Sequence, residues 1–570
     1  MSMQRHENIR ERIAALLAEA CAQAGVAEAV LARAPLEHPA EREHGDYASA
    51  VALVAAKEVG EQPRAIAERI ARALEERESA DIARVEIAGP GFINIHLARG
   101  VFASAVRAAL REERWGANET HCGEKVLVEH TQPNPFKPFH IGHLMTNTLG
   151  EAVARLYEYT GAEVRRANYQ GDVGLHVAKC LWGLRHTGGD ASSVEDLGAA
   201  YVAGNSAYED DAAARAAIVE YNKQVYAHAR EVAEQYETGR RVSLEHFEQL
   251  YRILDVHFDY YFFESDTQDP GRALVKEGLA DGVFAEGEGG AVVYKGEEEG
   301  LHTRVFLTRE GLPTYEAKEL GLAQRKAERW DFDLSLTTTA IEQQEFFRVV
   351  YAALRKLRPE VAKKMDVLTH GMMLLTSGKM SSRKGNVVTG EALLQEMISR
   401  AKEKTRERGM SEEEQNAVAE AVGIAAIRYT ILKQKSGKNI TFDPEQSLSL
   451  EGASGPYLLY AYTRAMSVLE NGKKEGVLPD ATEAPSEIIP LERLLVRFPE
   501  VVLRAQQERE PHHITTYLTE LAGEWNSWYA REKILDGTLA APYKLALAEL
   551  FARTMKNGLY VLGIRVVERM

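Results

Sequence analysis

The stretch "QPNPFKPFHIGHLMTN", residues 132–147, lies between an apolar run, "VLVEH", and a long helical pattern, "HIGHLMTNTLGEAVARLYEYTG". Prolines before His140 mark a loop, and apolar residues at helical spacing after it mark a helix start. The strand-like "AEVRRANYQGD" follows. Strand, loop, helix and strand make the βαβ unit of a parallel, doubly wound sheet, so this stretch predicts a Rossmann-like α/β fold. In such sheets ligands sit beyond the carboxyl ends of the strands, where helix N-termini present unpaired N–H groups and partial positive charge, and phosphate is the natural guest. His140 and His143, three apart, share a face of the first turn and can donate to phosphoryl oxygens. Gly142 lets a base or ribose approach the backbone, and Lys137 adds a cation just upstream.

The chain has 570 residues, too many for one core, with 45% apolar and 27% charged residues. A net charge of -16 excludes a surface coated for nucleic acid and leaves local basic patches as the means of gripping it. No apolar run spans a bilayer and the N-terminus reads as an amphipathic helix, so the cytoplasm is expected and a membrane is not. Cys21, Cys122 and Cys180 have neither disulfide nor zinc-ligand spacing; they are expected as reduced, packed thiols, with no structural metal.

Working outward, residues 1–115 alternate helix patterns with the period-two run "RVEIAGPGFINIHLA", a small α+β domain. Residues 116–445 carry the α/β pattern, interrupted from about residue 175 to 300 by charge-rich helical stretches and a hairpin candidate, "GVFAEGEGGAVVYKG", read as an insertion. The pattern resumes with "TRVFLTREGLPTYEAKELGLAQRK", "DLSLTTT" and "MDVLTHGMMLL". Residues 446–570 read as amphipathic helices, an all-α domain.

A second stretch, "LLTSGKMSSRKGNVVTG" at residues 374–390, is a loop of glycine, hydroxyls and lysines between a strand and a helix pattern, suited to a leaving pyrophosphate. "HIGH" followed far downstream by "KMSSR" resembles the paired signatures of class I aminoacyl-tRNA synthetases. The resemblance implies attack of an amino-acid carboxylate on the α-phosphorus of ATP bound with Mg2+, then transfer to the terminal ribose of tRNA. It implies ATP binding by His140, Gly142, His143, Met380, Ser381 and Ser382, with Lys379 and Lys384 as loop cations. Such chemistry rests on positioning and on donors aimed at developing charge, and needs no covalent nucleophile. Ser382 stands where the family usually has a second lysine; the arginyl members share this, and there Lys137 matches a lysine thought to supply the missing charge. Lys137→Ala is therefore expected to depress ATP–pyrophosphate exchange more than tRNA binding; equal effects would refute the role.

Further stretches resemble the arginyl-tRNA synthetases over nearly the whole chain. "VEHTQPNPFKPFHIGH", "PTYEAKELGLA" and "AIEQQEFF" carry the matching arginine-binding positions Glu129, Asn134, Tyr315, Glu319 and Gln343. A guanidinium is a planar fork of five donors, best met by carboxylates and amides. Glu319 replaces the family's more usual aspartate. "AGPGFINIHL" resembles the element that touches the tRNA elbow, through Phe92 and Asn94, although Phe92 equally fits a core plug. "GPYLLYAYTRAMSVL" resembles the start of the anticodon-binding domain, with Tyr457, Tyr460 and Arg464 on one helical face for stacking or for the core. The expected activity is an arginine–tRNA ligase acting as a monomer on arginine, ATP and tRNA-Arg. The alternatives are another class I carboxylate-adenylating ligase and a silent RNA-binding relative.

Overall fold

The computed structural model describes residues 9–376, 389–405 and 410–570. Buried Val126, Leu127 and Val128 make Lys125–Glu129 the central strand of a five-stranded parallel sheet. Glu163–Gln170 pairs with it on one side and Leu334–Ala340 on the other; Tyr260–Phe263 and Met365–His370 form the edges. The chain moves from the central strand outward one way for two strands, then returns to its other side for two more. Between Lys125–Glu129 and Leu334–Ala340 the strand order therefore reverses, and there the carboxyl ends open a crevice.

Tyr260–Phe263 lies inside the stretch read as insertion. Its four consecutive aromatics show no alternation, and long helices flank it, so nothing in the local pattern separates it from them. Before it come four helices, Leu175–Thr187, Val194–Asp210, Ala212–Tyr226 and Arg230–Ile253, packed around their own core of Val177, Leu181, Leu197 and Val225. After it come the helix Glu264–Ala280, a small antiparallel sheet of Ala285–Glu286, Val292–Tyr294 and Arg304–Leu307, and the helix Tyr315–Arg329. The two helices touch backbone to backbone. A Cβ on Gly271 would stand 2.0 Å from the Ala317 carbonyl oxygen, and one on Gly321 would stand 2.1 Å from that of Thr267.

The chain divides into two compact units. The first joins residues 1–117 with 460–504 and 517–558. In it the strand Phe92–Leu97 lies between Tyr47–Ser49 and Ile82–Ala88, all antiparallel, against helices that bury Ile13, Leu17, Ile66 and Ile70. Buried Asp46 accepts from Leu97 N at 2.8 Å and pairs with Arg493, while Arg99 Nη1 lies 2.8 Å from Glu492, so the N-terminal sheet is tied to the later helices. Those helices include Pro490–Leu495, His512–Arg531 and Ala541–Val561. Segments more than 300 residues apart in the sequence thus share one unit, a grouping invisible to a reading that proceeds along the chain.

The second unit holds the parallel sheet, residues 118–459, 505–516 and 559–570. Its last segment is clasped by two buried arginines. Arg428 donates to the carbonyls of Gly563 and Leu254. Arg155 donates to the Tyr560 carbonyl at 3.2 Å and the Asp255 carbonyl at 2.8 Å, and is balanced by Glu151 at 2.6 Å. Of the cysteines, all free, Cys21 and Cys180 are buried as expected; Cys122 is exposed, in a polar turn that gives it nothing to pack against. Among the described residues no helix is long and apolar enough to cross a membrane.

Candidate active site

The loop leaving the central strand is strained. Thr131, Gln132 and Phe136 all have positive φ, at 77°, 50° and 66°, a region that costs non-glycine residues on the order of 1–3 kcal/mol each. Surrounding side chains hold it there. Thr146 Oγ1 donates to the Thr131 carbonyl at 3.2 Å, Asn147 donates to Thr131 Oγ1 at 3.0 Å, Gln132 N donates to Asn168 Oδ1 at 3.2 Å, and Phe136 N donates to Ser243 Oγ at 3.0 Å. The helix, the second strand and the insertion thus all fix the approach to His140.

His140 is the N-cap of the helix Ile141–Tyr159. Its backbone N–H donates to His143 Nδ1 at 3.2 Å, and the two rings stack with centroids 3.4 Å apart. Because Nδ1 of His143 accepts, its proton sits on Nε2, which is then a donor. Burial, then repulsion from His140 and Lys137, holds His143 well below the usual imidazole range; desolvation, then Lys137, takes His140 down to about 4. Both rings are neutral donors at neutral pH. A Cβ on Gly142 would meet His140 Cε1 at 2.9 Å, so the glycine is what lets that ring lie against the helix start. Burial also lowers the ammonium of Lys137, opposed by Glu264 and reinforced by Lys179.

Lys379, Met380, Ser381, Ser382 and Lys384 lie outside the described residues. The flanks of their segment are placed: Met373–Leu375 runs parallel to Ile440–Phe442, and Thr389 bridges His140 while Gly390 N donates to the Phe139 carbonyl at 2.8 Å. The downstream flank of the second sequence signature therefore rests on the first.

Of the residues expected to hold arginine, Glu129 ends the central strand, 1% exposed. Its Oε1 accepts from Gln132 Nε2 at 2.7 Å and its Oε2 lies 2.5 Å from Lys326 Nζ. Glu319, 6% exposed on the helix Tyr315–Arg329, has a buried Oε1 with no hydrogen-bond partner. Desolvation, then the charge of Glu129, raises its carboxyl well above the usual range. Tyr315 opens the same helix one turn above it and is exposed. Asn134 Oδ1 accepts from Gly171 N at 2.9 Å. Gln343 is exposed just past the strand Leu334–Ala340.

Three further charged residues lie among these, and the sequence alone does not single them out. Glu264 and Lys318 are buried 2.6 Å apart, with Lys318 Nζ also donating to Tyr226 of the insertion at 3.1 Å, and Lys326 is fully buried. Each reads as an ordinary helical charge, and only the glycine-tight helix packing puts them inside.

In the other unit Phe92 is 41% exposed, which removes the core-plug reading, while Asn94 on the same strand is only 4% exposed. Arg464 donates to Asn526 Oδ1 at 3.0 Å and Tyr460 OH at 3.2 Å, its guanidinium 4.9 Å from the Tyr460 and Tyr529 ring centroids. Tyr457 is half-buried on the same helix.

A strand order that reverses beside a donor-bearing helix start, with buried carboxylates next to it, agrees with the comparisons to known proteins. Residues 105–444 match the catalytic domain of the class I tRNA synthetases (R), 458–570 the DALR anticodon binding domain, and 7–97 the arginyl tRNA synthetase N-terminal domain. The chain belongs to the arginyl-tRNA synthetases. It is 30% identical to an arginine–tRNA ligase of Bacteroides thetaiotaomicron over 84% of this chain and 86% of that one. Against the arginine–tRNA ligase of Clostridium perfringens it is 29% identical over 94% and 96%. The solved arginyl-tRNA synthetase of Thermus thermophilus superposes with a TM-score of 0.80 at 27% identity, covering 98% of this chain and all of that one. Its activity is that of an arginine–tRNA ligase, using ATP.

Proposed function

We propose that the five residues Glu129, Asn134, Tyr315, Glu319 and Gln343 form the arginine site and that ATP lies across His140, Gly142 and His143, with Lys137 and the loop residues Lys379, Met380, Ser381, Ser382 and Lys384 on its phosphates. The observation that carries this reading is the buried, unpartnered Oε1 of Glu319, an acceptor that a guanidinium N–H would satisfy. His143 Nε2 donates to the phosphoryl oxygens as the arginine carboxylate attacks the α-phosphorus and pyrophosphate leaves. The terminal ribose hydroxyl then attacks the carbonyl carbon of the adenylate and AMP departs. The helix-start cluster of histidines and lysine offers no carboxylate to a metal, so Mg2+ enters as part of the ATP complex.

Residues 1–115 serve the tRNA elbow through Phe92 and Asn94, residues 116–445 the chemistry, and residues 446–570 the anticodon through Tyr457, Tyr460 and Arg464; the chain works as a monomer in the cytoplasm. The exposed ring of Phe92 supports the first of these. Phe92→Ala is expected to raise the KM for tRNA about 5- to 50-fold, as loss of one base stack does, with an unchanged melting temperature. A fall in melting temperature without a change in KM would refute it. The whole reading is tested by incubating the protein with ATP, bulk tRNA and each labelled amino acid in turn: arginine alone should become acid-precipitable.

A further inference from the structure

Lys326 is two helical turns beyond Glu319 and fully buried. Its Nζ lies 2.5 Å from Glu129 Oε2 and 3.3 Å from Thr337 Oγ1, so the ammonium never meets water. A buried ammonium is tolerated only when paired, and here its partner is one of two carboxylates at the pocket floor. The other, Glu319, keeps an oxygen with no partner. The groups acting on Glu319 are Glu129 from the central strand, Lys326 from its own helix and Glu264 from the helix packed against it. The hydroxyls of Tyr169 and Tyr351 feel it from the second strand and the helix Gln344–Leu357. Glu264 is already neutralised by Lys318.

We propose that Lys326 is a specificity-determining residue: by permanently neutralising Glu129 it leaves the pocket one positive charge short, so that only a ligand end carrying a single cation completes it. This rests on the assignment of Glu319 to the arginine site. A neutral isostere such as citrulline cannot take the place of that missing charge and gains no ion pair with Glu319, whereas the guanidinium, always protonated, closes the count. Until the ligand arrives, a proton on Glu319 occupies the cation's place, because desolvation and Glu129 disfavour the bare carboxylate. Arginine binding then expels that proton. The sign follows: the free enzyme holds a proton that the complex lacks, so affinity rises with pH until Glu319 is ionised in the free enzyme, then levels.

The experiment is calorimetric titration of the full-length protein with arginine across roughly pH 6 to 9, in buffers of different ionisation enthalpy. Wild type should release close to one proton at the acid end, the dissociation constant falling by about one decade per pH unit before it levels. Lys326→Gln removes the one cation that favours ionised Glu319, so the levelling point should move up by at least about one pH unit; Lys326→Arg should restore it. A purely structural role would change stability without moving this midpoint. Wild-type binding without proton release overturns the proposal and requires no variant to fold; so does an unmoved midpoint in Lys326→Gln. If Glu319→Gln leaves arginine affinity intact, the pocket assignment itself fails. If Glu319→Gln abolishes binding while Lys326→Gln leaves the midpoint unmoved, only the role of Lys326 fails.

Discussion

Glu319→Gln is expected to lower kcat/KM for arginine on the order of 1,000-fold while leaving the KM for ATP within about 3-fold. The amide keeps the shape of the carboxyl and removes its charge, so the guanidinium enters a buried site opposite an N–H donor that repels it. Loss of one partner from a desolvated charge pair costs about 2–5 kcal/mol, and most of it falls on the arginine terms because Glu319 touches no part of the ATP cluster. Steady-state charging with arginine and ATP varied separately gives the answer. An equal rise in both KM values would mean a general distortion and would remove Glu319 from the pocket. The same variant should bind citrulline with a smaller disadvantage relative to arginine, since the ion pair that arginine alone gains disappears with the charge.

Gly321→Ala should have the second large effect. The added methyl group would stand 2.1 Å from the Thr267 carbonyl oxygen and near the Gly271 backbone, neither of which has a rotamer to give. The helices Glu264–Ala280 and Tyr315–Arg329 must separate, at about 3 kcal/mol or more. Because the second carries Tyr315, Lys318, Glu319 and Lys326, separation also spoils the pocket, and the KM for arginine should rise by at least about 10-fold along with the fall in melting temperature. Gly198→Ala is the control. That glycine lies within the helix Val194–Asp210 with nothing within 4 Å of its added Cβ, so the substitution should be neutral or stabilise by up to about 1 kcal/mol. Thermal denaturation of both variants beside arginine kinetics checks the pair; a Gly321→Ala protein that melts like wild type would mean the helices yield freely.

The parallel sheet was legible where one strand led through a proline-rich loop into a helix with clear periodicity, because two different periods meet there and the join is local. Tyr260–Phe263 was not, since an edge strand of four aromatics carries no period and gains its identity from Ala167–Gln170, far away in sequence. The site divides in the same way. His140, His143 and Glu129 occupy positions that a strand end and a helix start define by themselves. Lys326 sits in "AQRKAER", which any sequence reading takes for a solvated face; its burial follows from the packing of a helix whose neighbours lie far away along the chain. Phe92 was open between two readings, and only its exposure removes the core plug. The closeness of the His140 ring to Gly142 was not legible, a matter of one side-chain torsion that no spacing encodes.

The clasp of Arg155 and Arg428 on the carbonyls of Tyr560 and Gly563 bears on how the protein is made. During synthesis the sheet strands, the helix start and the acidic residues all emerge before residue 559, yet Arg155 and Arg428 each still lack one acceptor, the carbonyls of Tyr560 and Gly563. Buried donors left without acceptors cost about 1–3 kcal/mol each, and more when charged. The nascent enzyme should therefore hold its catalytic half loosely, open to proteases, until the segment around Tyr560 and Gly563 has been made and locks it.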